Sequence, residues 1–217
     1  MIHPEGRIYY REVIMNMKKM LILIAGLSII VGCIPSLHPL YTDKDLVFDK
    51  ALIGTWQDEG GESIWKFTQS GDKEYKLVYT EDGKTGEFII HLLKLKDKMF
   101  IDFYPVEQED INGFYSAHLV PAHSFMLVKQ IEPTLQMACL NPNKLKEIIQ
   151  KDPKAVKHEK LGKDDDRDLF TAPTDELQAF IIKNLDTPDF FADPSSLKKV
   201  KDDAAKKDVE KKDKEPK

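Results

Sequence analysis

Leu52-Ile53-Gly54-Thr55-Trp56 opens the part of the chain whose pattern decides the fold. From Ala51 onward, segments that are apolar at every second position, or apolar throughout, alternate with turn residues, as is typical of antiparallel strands. Eight segments have this character: Ile53–Gln57, Ile64–Gln69, Glu74–Thr80, Gly86–Leu95, Met99–Tyr104, Tyr115–Val120, Ala122–Gln130 and Thr134–Leu140. The sequence therefore predicts a mainly β domain built as an antiparallel meander.

Two later segments have the pattern of amphipathic helices. Asn141 and Pro142 suit the cap and the first residue of one helix, and a second begins at Thr174. Strands such as Phe88–Leu93 are apolar on both faces, so both faces need cover. We therefore predict that the two helices pack outside the sheet. Two short strands are predicted between them, within Ala155–Leu161 and Asp168–Thr171.

Gly54 and Trp56 stand two residues apart at the start of the first predicted strand. With the meander and helix that follow, this pattern resembles the lipocalins, in which the tryptophan packs across the closed end of a barrel. The resemblance implies a closed antiparallel barrel, and an open β-sandwich is the alternative. In lipocalins an arginine lies over that tryptophan. Arg167 is the one arginine after residue 33, so it is the candidate, although its acidic neighbours also suit an exposed loop.

The segment Met17–Cys33 has the features of a bacterial lipoprotein signal peptide. Two lysines precede an apolar stretch, and the small residue Gly32 stands immediately before Cys33. A transmembrane helix is the alternative, but the uncharged run Met20–Pro35 is shorter than the roughly 18 apolar residues such a helix needs. We therefore expect cleavage after Gly32 and acylation of Cys33 by palmitate-type chains. Acylation would exclude an internal disulfide, because the chain has only 2 cysteines.

The chain divides into four parts on this interpretation. They are a leader (1–32, of which 1–16 is a start-site extension and 17–32 the signal peptide), the lipidated cysteine with a tether (33–50), the barrel domain with its C-terminal helices (51–194), and a charged, disordered tail (195–217). Lipidation implies a place in the cell envelope, with the lipid bilayer as a partner. Ile34, rather than an aspartate, follows the cysteine, which by analogy with Gram-negative lipoproteins favours the outer membrane, facing the periplasm.

The overall charge gives no attraction to nucleic acid. The formal net charge is −5, and lysines are interspersed with acidic residues rather than grouped. The stretches Cys33–Thr42, Phe100–Pro105 and His118–Phe125 resemble uncharacterised bacterial envelope lipoproteins with a lipocalin-like body. That resemblance brings no catalytic residues.

The inward faces of two predicted strands suggest a binding function. An eight-stranded barrel is just wide enough for packed side chains or for one small ligand. We therefore predict that the barrel carries a small apolar ligand, and the alternative is a structural or assembly role through an envelope protein partner. The predicted ligand contacts are Tyr75, Leu77, Tyr79, Met99, Ile101 and Phe103.

The sequence contains no catalytic motif and no cofactor fingerprint, so we expect neither catalysis nor a cofactor. His91, His118 and His123 are the histidines of the predicted sheet. They leave a metal enzyme as a remote alternative, although the usual zinc spacings are missing.

Overall fold

The computed structural model describes residues 33–107, 111–161 and 167–201. The predicted leader (1–32) and residues 202–217 of the predicted tail lie outside the described residues. Within the described ranges, no helix is long and apolar enough to cross a membrane.

The described strands form a closed antiparallel barrel with one further strand outside it. The barrel strands are β2 (Gly54–Asp58), β3 (Ser63–Gln69), β4 (Tyr75–Glu81), β5 (Lys84–Leu95), β6 (Lys98–Pro105), β7 (Ser124–Gln130), β8 (Thr134–Ala138) and β11 (Ser195–Val200). Each pairs with its neighbour in the chain, β11 joins β8 to β2, and the outer strand β1 (Leu46–Val47) pairs with β5. The closed barrel implied by the lipocalin resemblance is confirmed, and the open sandwich is excluded.

The remaining elements lie between β8 and β11, in the connection from β6 to β7 or, for the 3-10 helix, immediately before β2. They are α1 (Gly113–Ser116), α2 (Pro142–Lys151), α3 (Thr174–Asn184), a 3-10 helix (Lys50–Leu52), and a two-stranded ladder of β9 (His158–Lys160) and β10 (Asp168–Phe170). The Asn141 side chain accepts hydrogen bonds from two backbone N–H groups of α2, as expected for a helix cap. The two predicted helices and both short strands are confirmed.

Alternate residues of the barrel strands face inward, which gives the molecule two separate apolar cores. In the register of the sheet, Tyr75 lies opposite Ile90, and Ile90 lies opposite Phe103, all on the inner face. The outer face of the same strands contributes Leu93, Phe100, Phe125 and Leu127 to a second core. Helices α2 and α3 cover that face with Leu145, Leu177, Phe180 and Ile181, so the prediction that they pack outside is confirmed.

One predicted strand was wrong, and the strand that replaces it was missed. Tyr115–Val120 lies in the β6–β7 connection, where α1 and a turn stand, and its apolar side chains are exposed. The eighth barrel strand is instead Ser195–Val200, which the sequence assigned to a disordered tail. Leu197 is buried in the barrel interior. Backbone hydrogen bonds to the strands on both sides stabilise this strand although it contains two lysines.

A tether was predicted for the segment that follows Cys33, up to residue 50. In the structure, residues 34–50 instead pack against the barrel. Leu40 is fully buried and Ile34 is nearly so. Ser36 forms a two-way backbone hydrogen-bonded bridge with His123, immediately before β7. The segment runs between β7 and β10, because Ser36 also pairs with Phe170.

The two ends of the barrel differ in their connections. The short turns 70–74, 96–97 and 131–133 lie at one end, which we call the closed end. The turns 59–62 and 82–83, and the long connections 106–123 and 139–194, lie at the other, which we call the open end.

Candidate functional site

The closed end is built around Trp56, as the sequence predicted. The Trp56 ring is fully buried, and its indole N–H donates to the Leu52 carbonyl at the end of the 3-10 helix. Lys199 lies over this ring, with its Nζ 4.9 Å from the ring centroid. The same Nζ donates to the Ala51 carbonyl at 2.9 Å. Gly54 has a φ of +135°, and a Cβ there would lie 2.8 Å from Lys199 Cε.

The lipocalin resemblance implied that Arg167 lies over Trp56. The cation over this ring is instead Lys199. Arg167 is exposed beside β10, where its carbonyl accepts a hydrogen bond from Leu161. Lys199 belongs to β11 and pairs with Trp56 in the register of the sheet. The prediction failed because Lys199 lies in a segment that was assigned to the tail.

The closed half of the barrel interior is filled by side chains. Tyr75 and Ile101 have no exposed surface, and Leu77 is 1% exposed. A cavity large enough for a water molecule beside these side chains would leave part of their surface exposed. Their surfaces are covered, so they leave no room for a ligand. We call these three residues the floor. The structure confirms that they face inward, but it places them in packing roles.

The open half is different, because its aromatic side chains are less completely covered. Trp65 contacts Tyr79 edge to face, with ring centroids 4.8 Å apart, and Phe103 at 6.1 Å. Trp65 and Phe103 are 6% and 5% exposed, whereas Tyr79 and Phe88 are only half-buried. In the register of the sheet, Gly86 lies opposite Tyr79. Phe88 is the next inward residue of β5 and lies opposite Leu77. We call Trp65, Tyr79, Phe88 and Phe103 the mouth.

The four rings of the mouth are themselves uncharged near neutral pH, and the carboxylates of Glu81, Asp58 and Asp82 lie close enough to act on Tyr79. Burial, and then a side-chain hydrogen bond with Glu81, raises the pKa of Tyr79 above its usual range, so its phenol stays protonated. The Trp65 indole N–H is satisfied by Ser63 Oγ at 3.1 Å. The four rings therefore present an apolar surface whose polar atoms already have partners in this part of the structure.

Met99, the sixth predicted ligand contact, lies away from the mouth. It is half-buried near the closed end and borders a surface groove of about 510 Å³ that also includes Asp97 and Glu132. A second groove of about 690 Å³ lies outside the barrel, between residues 153–159 and α3.

Cys33 and Cys139 come together at the open end. Their sulfur atoms are 3.0 Å apart, and Cys139 directly follows the last residue of β8. The hydrogen bond with Cys139, and then burial, raises the pKa of the Cys33 thiol. The sequence offered no signal for this contact, because the two residues are 106 positions apart.

A polar cluster lies on the outer face of β5 and β6. Asp102 is fully buried; its Oδ1 lies 2.7 Å from His123 Nδ1, and its Oδ2 accepts the Leu40 N–H at 3.0 Å. The Tyr41 ring contacts His91 at 4.5 Å and His123 at 6.4 Å. Asp102 therefore joins the N-terminal segment to the barrel. The sequence did not identify it, because a lone aspartate in an apolar strand has no motif.

The three candidate metal-binding histidines do not converge. His118 lies in the β6–β7 connection, where its Nδ1 bonds to the Phe114 carbonyl, whereas His91 and His123 lie beside Tyr41. Over residues 33–107, 111–161 and 167–201, no group of three or more histidine, cysteine, aspartate or glutamate side chains could hold a metal ion.

Comparisons with protein-family models, with curated proteins and with solved structures find no match to this chain. A closed eight-stranded barrel is compatible with ligand binding at its open end.

Proposed function

We propose that this protein is a lipoprotein of the bacterial cell envelope, anchored through acylated Cys33, that binds a small apolar ligand in the mouth of its barrel. The observation that carries the proposal is the uncharged aromatic mouth at the barrel end where Cys33 lies. An anchor at this end brings the mouth close to the bilayer, which is a source of apolar ligands.

Two features support the anchor. The signal-like segment ends in Gly32-Cys33, and the compact unit that contains the barrel begins at Cys33. Removal of residues 1–32 would therefore leave that unit complete. Stable attachment needs two or more acyl chains, because a single chain binds a membrane only marginally.

The packing of the barrel limits the size of the ligand. The floor is filled, so a ligand reaches only the rings of the mouth. Aromatic side chains suit apolar chains and rings, since they offer large contact areas without charge. We therefore propose a slender ligand, such as the end of a fatty-acyl chain.

Trp65 is a natural reporter of ligand in the mouth. In a Trp56→Phe variant it is the one remaining tryptophan, because the chain has 2. We expect saturable quenching of its fluorescence by bromododecanoic acid, since bromine quenches at contact. Unbrominated dodecanoic acid is the control for nonspecific changes. Absence of quenching up to the solubility limit of the probe would exclude binding of a fatty-acyl chain in the mouth.

The anchor has its own test. Intact mass of the native product should show a chain that begins at Cys33 and carries acyl groups, and Cys33→Ala should abolish both the added mass and flotation with vesicles. An unmodified amino terminus in the native product would exclude the anchor without bearing on the mouth.

A structural or assembly role is the second candidate, and the filled floor favours it. A barrel packed through half of its interior is a rigid body that can present its surface to an envelope protein. Native mass spectrometry of the detergent-extracted protein separates the two roles. A co-purified small molecule supports ligand binding, and persistent absence of one together with unquenched Trp65 favours the structural role.

A further inference from the structure

Large apolar side chains are exposed together in the β6–β7 connection at the open end. Phe114 is 80% exposed, Tyr115 61%, Leu119 50% and Val120 74%. We call these four residues the crest. Scattered exposed apolar residues are ordinary, but four within seven positions form a patch of the kind that marks an interaction surface.

The crest is held in a defined shape. The Asn112 side chain accepts hydrogen bonds from the backbone N–H groups of Phe114 and Tyr115. The Phe114 ring contacts His118, with centroids 4.7 Å apart, and the His118 ring nitrogen bonds to the Phe114 carbonyl. These contacts fix the backbone of the turn, and the four apolar side chains remain exposed on it.

The crest lies within about 20 Å of the proposed anchor. Val120 and Cys33 are each three residues from the antiparallel bridge between His123 and Ser36, on opposite sides of it, and three residues span at most about 10 Å. Leu37, the residue after Ser36, is a further apolar side chain with 38% exposure, and it lies on the crest side of the antiparallel bridge. A bilayer that holds acyl chains on Cys33 is therefore within reach of the crest.

The charge of the connection indicates which kind of surface it fits. Residues 106–128 contain no lysine or arginine, whereas Glu107, Glu109 and Asp110 precede the crest. Attraction to anionic headgroups is therefore not available. Aromatic side chains favour the boundary between headgroups and acyl chains, where their rings and polar atoms are both accommodated.

We propose that the crest docks on the headgroup region of a zwitterionic bilayer and, together with acylated Cys33, holds the mouth against the membrane. The inference rests on the proposed anchor for the proximity of that bilayer. Cys33 alone would leave the barrel free to rotate about one attachment point. A second contact up to about 20 Å away from Cys33 fixes the orientation of the barrel.

Tryptophan placed in the crest tests the contact directly. The full-length, lipidated Phe114→Trp variant is reconstituted in phosphatidylcholine vesicles, with and without brominated acyl chains. We expect its added emission to shift to shorter wavelength and to be quenched by the brominated lipid. Trp56 and Trp65 give the background, which is measured on the unsubstituted protein.

Asp72→Trp is the matched control, because Asp72 is an exposed residue of the β3–β4 turn at the closed end. Its emission should remain that of a water-exposed tryptophan and should not be quenched. Equal quenching of both variants, or of neither while the protein floats with the vesicles, overturns docking of the crest. Quenching should be insensitive to salt, and a strong loss at high salt also overturns it.

Failure of the anchor remains distinguishable from failure of the crest. If the protein floats with the vesicles but its intact mass shows no acyl group, the proposed anchor is wrong. If the double variant Phe114→Ser, Val120→Ser then no longer floats, docking of the crest is supported without the anchor. If the crest is shielded only in native membranes and not in vesicles of pure lipid, its occupant is a protein, and lipid docking is overturned.

Discussion

At the scale of single residues, Lys199 contacts the glycine and the tryptophan that begin the first barrel strand. Its stem lies over Gly54, its Nζ lies over the Trp56 ring, and its N–H groups reach Ala51 and Glu132. It thus joins the last strand of the barrel to the first. Gly54 belongs to the same arrangement, because its positive φ and the close approach of Lys199 both disfavour a side chain there.

Lys199→Met keeps the aliphatic stem but removes the charge. We expect the free energy of unfolding to fall by about 1–2 kcal/mol, combining a cation–π contact of roughly 0.5–1 kcal/mol with the lost hydrogen bonds. Urea denaturation measures the change. Lys198→Met is the control, because Lys198 is exposed and its ion pair with Glu59 is of the surface kind that stabilises little. An equal loss in both variants would exclude a special role for Lys199.

Tyr41 gives a prediction for alkaline pH. Burial, and then the negative charge of Asp102, raises the pKa of Tyr41 from 10.0 to about 12. Because the pKa is higher in the folded state, this phenol stabilises the fold fully below about pH 10, and the contribution is lost as the pH rises through about 12. Absorbance at the phenolate band should lose the step near pH 12 in Tyr41→Phe and keep it in Tyr115→Phe. Loss of the same step in both variants would contradict the assignment.

At the scale of elements, β11 decides whether the barrel closes. It pairs with β8 on one side and β2 on the other, and Leu197 is buried in the interior. Without it, two strand edges with unpaired backbone groups would face each other.

A chain ending at Pro194 should therefore lose cooperative thermal unfolding, whereas a chain ending at Lys201 keeps all eight barrel strands and should melt as the full chain does. Circular dichroism follows both melts. Leu197→Ala covers the case in which the shorter chain does not accumulate, and it should cost about 2–5 kcal/mol in a urea titration. Equal melting of the two truncated chains would show that β11 is dispensable.

The sequence predicted most strands and both outer helices, because period-two and helical patterns mark a half-buried surface wherever the chain is strongly apolar. It exchanged the roles of Tyr115–Val120 and Ser195–Val200 for the same reason. The first segment is apolar but exposed, and the second is charged but paired on both sides. Composition does not report pairing between distant segments, and Lys199 and the contact between Cys33 and Cys139 were missed on that account.

At the scale of the whole molecule, the two halves of the barrel differ in how completely their side chains are covered. The floor holds the fold together by filling the interior, and the mouth keeps half-buried rings at the end that carries Cys33 and the crest. On the proposed function, stability and ligand affinity should therefore respond to different substitutions, although Leu77 and Tyr79 occupy successive inward positions of the same strand.

Leu77→Ala in the floor and Tyr79→Ala in the mouth separate these two properties on strand β4. We expect Leu77→Ala to lower the free energy of unfolding by about 2–5 kcal/mol through the cavity it leaves, without weakening the binding of bromododecanoic acid. Tyr79→Ala should cost less stability, because its side chain is half-buried, but should weaken binding roughly fivefold to tenfold through the lost aromatic contact. Urea denaturation and quenching of Trp65 in the Trp56→Phe background measure the two effects. If Leu77→Ala weakens binding and Tyr79→Ala does not, the ligand enters the floor, and the division of the barrel into two halves is wrong.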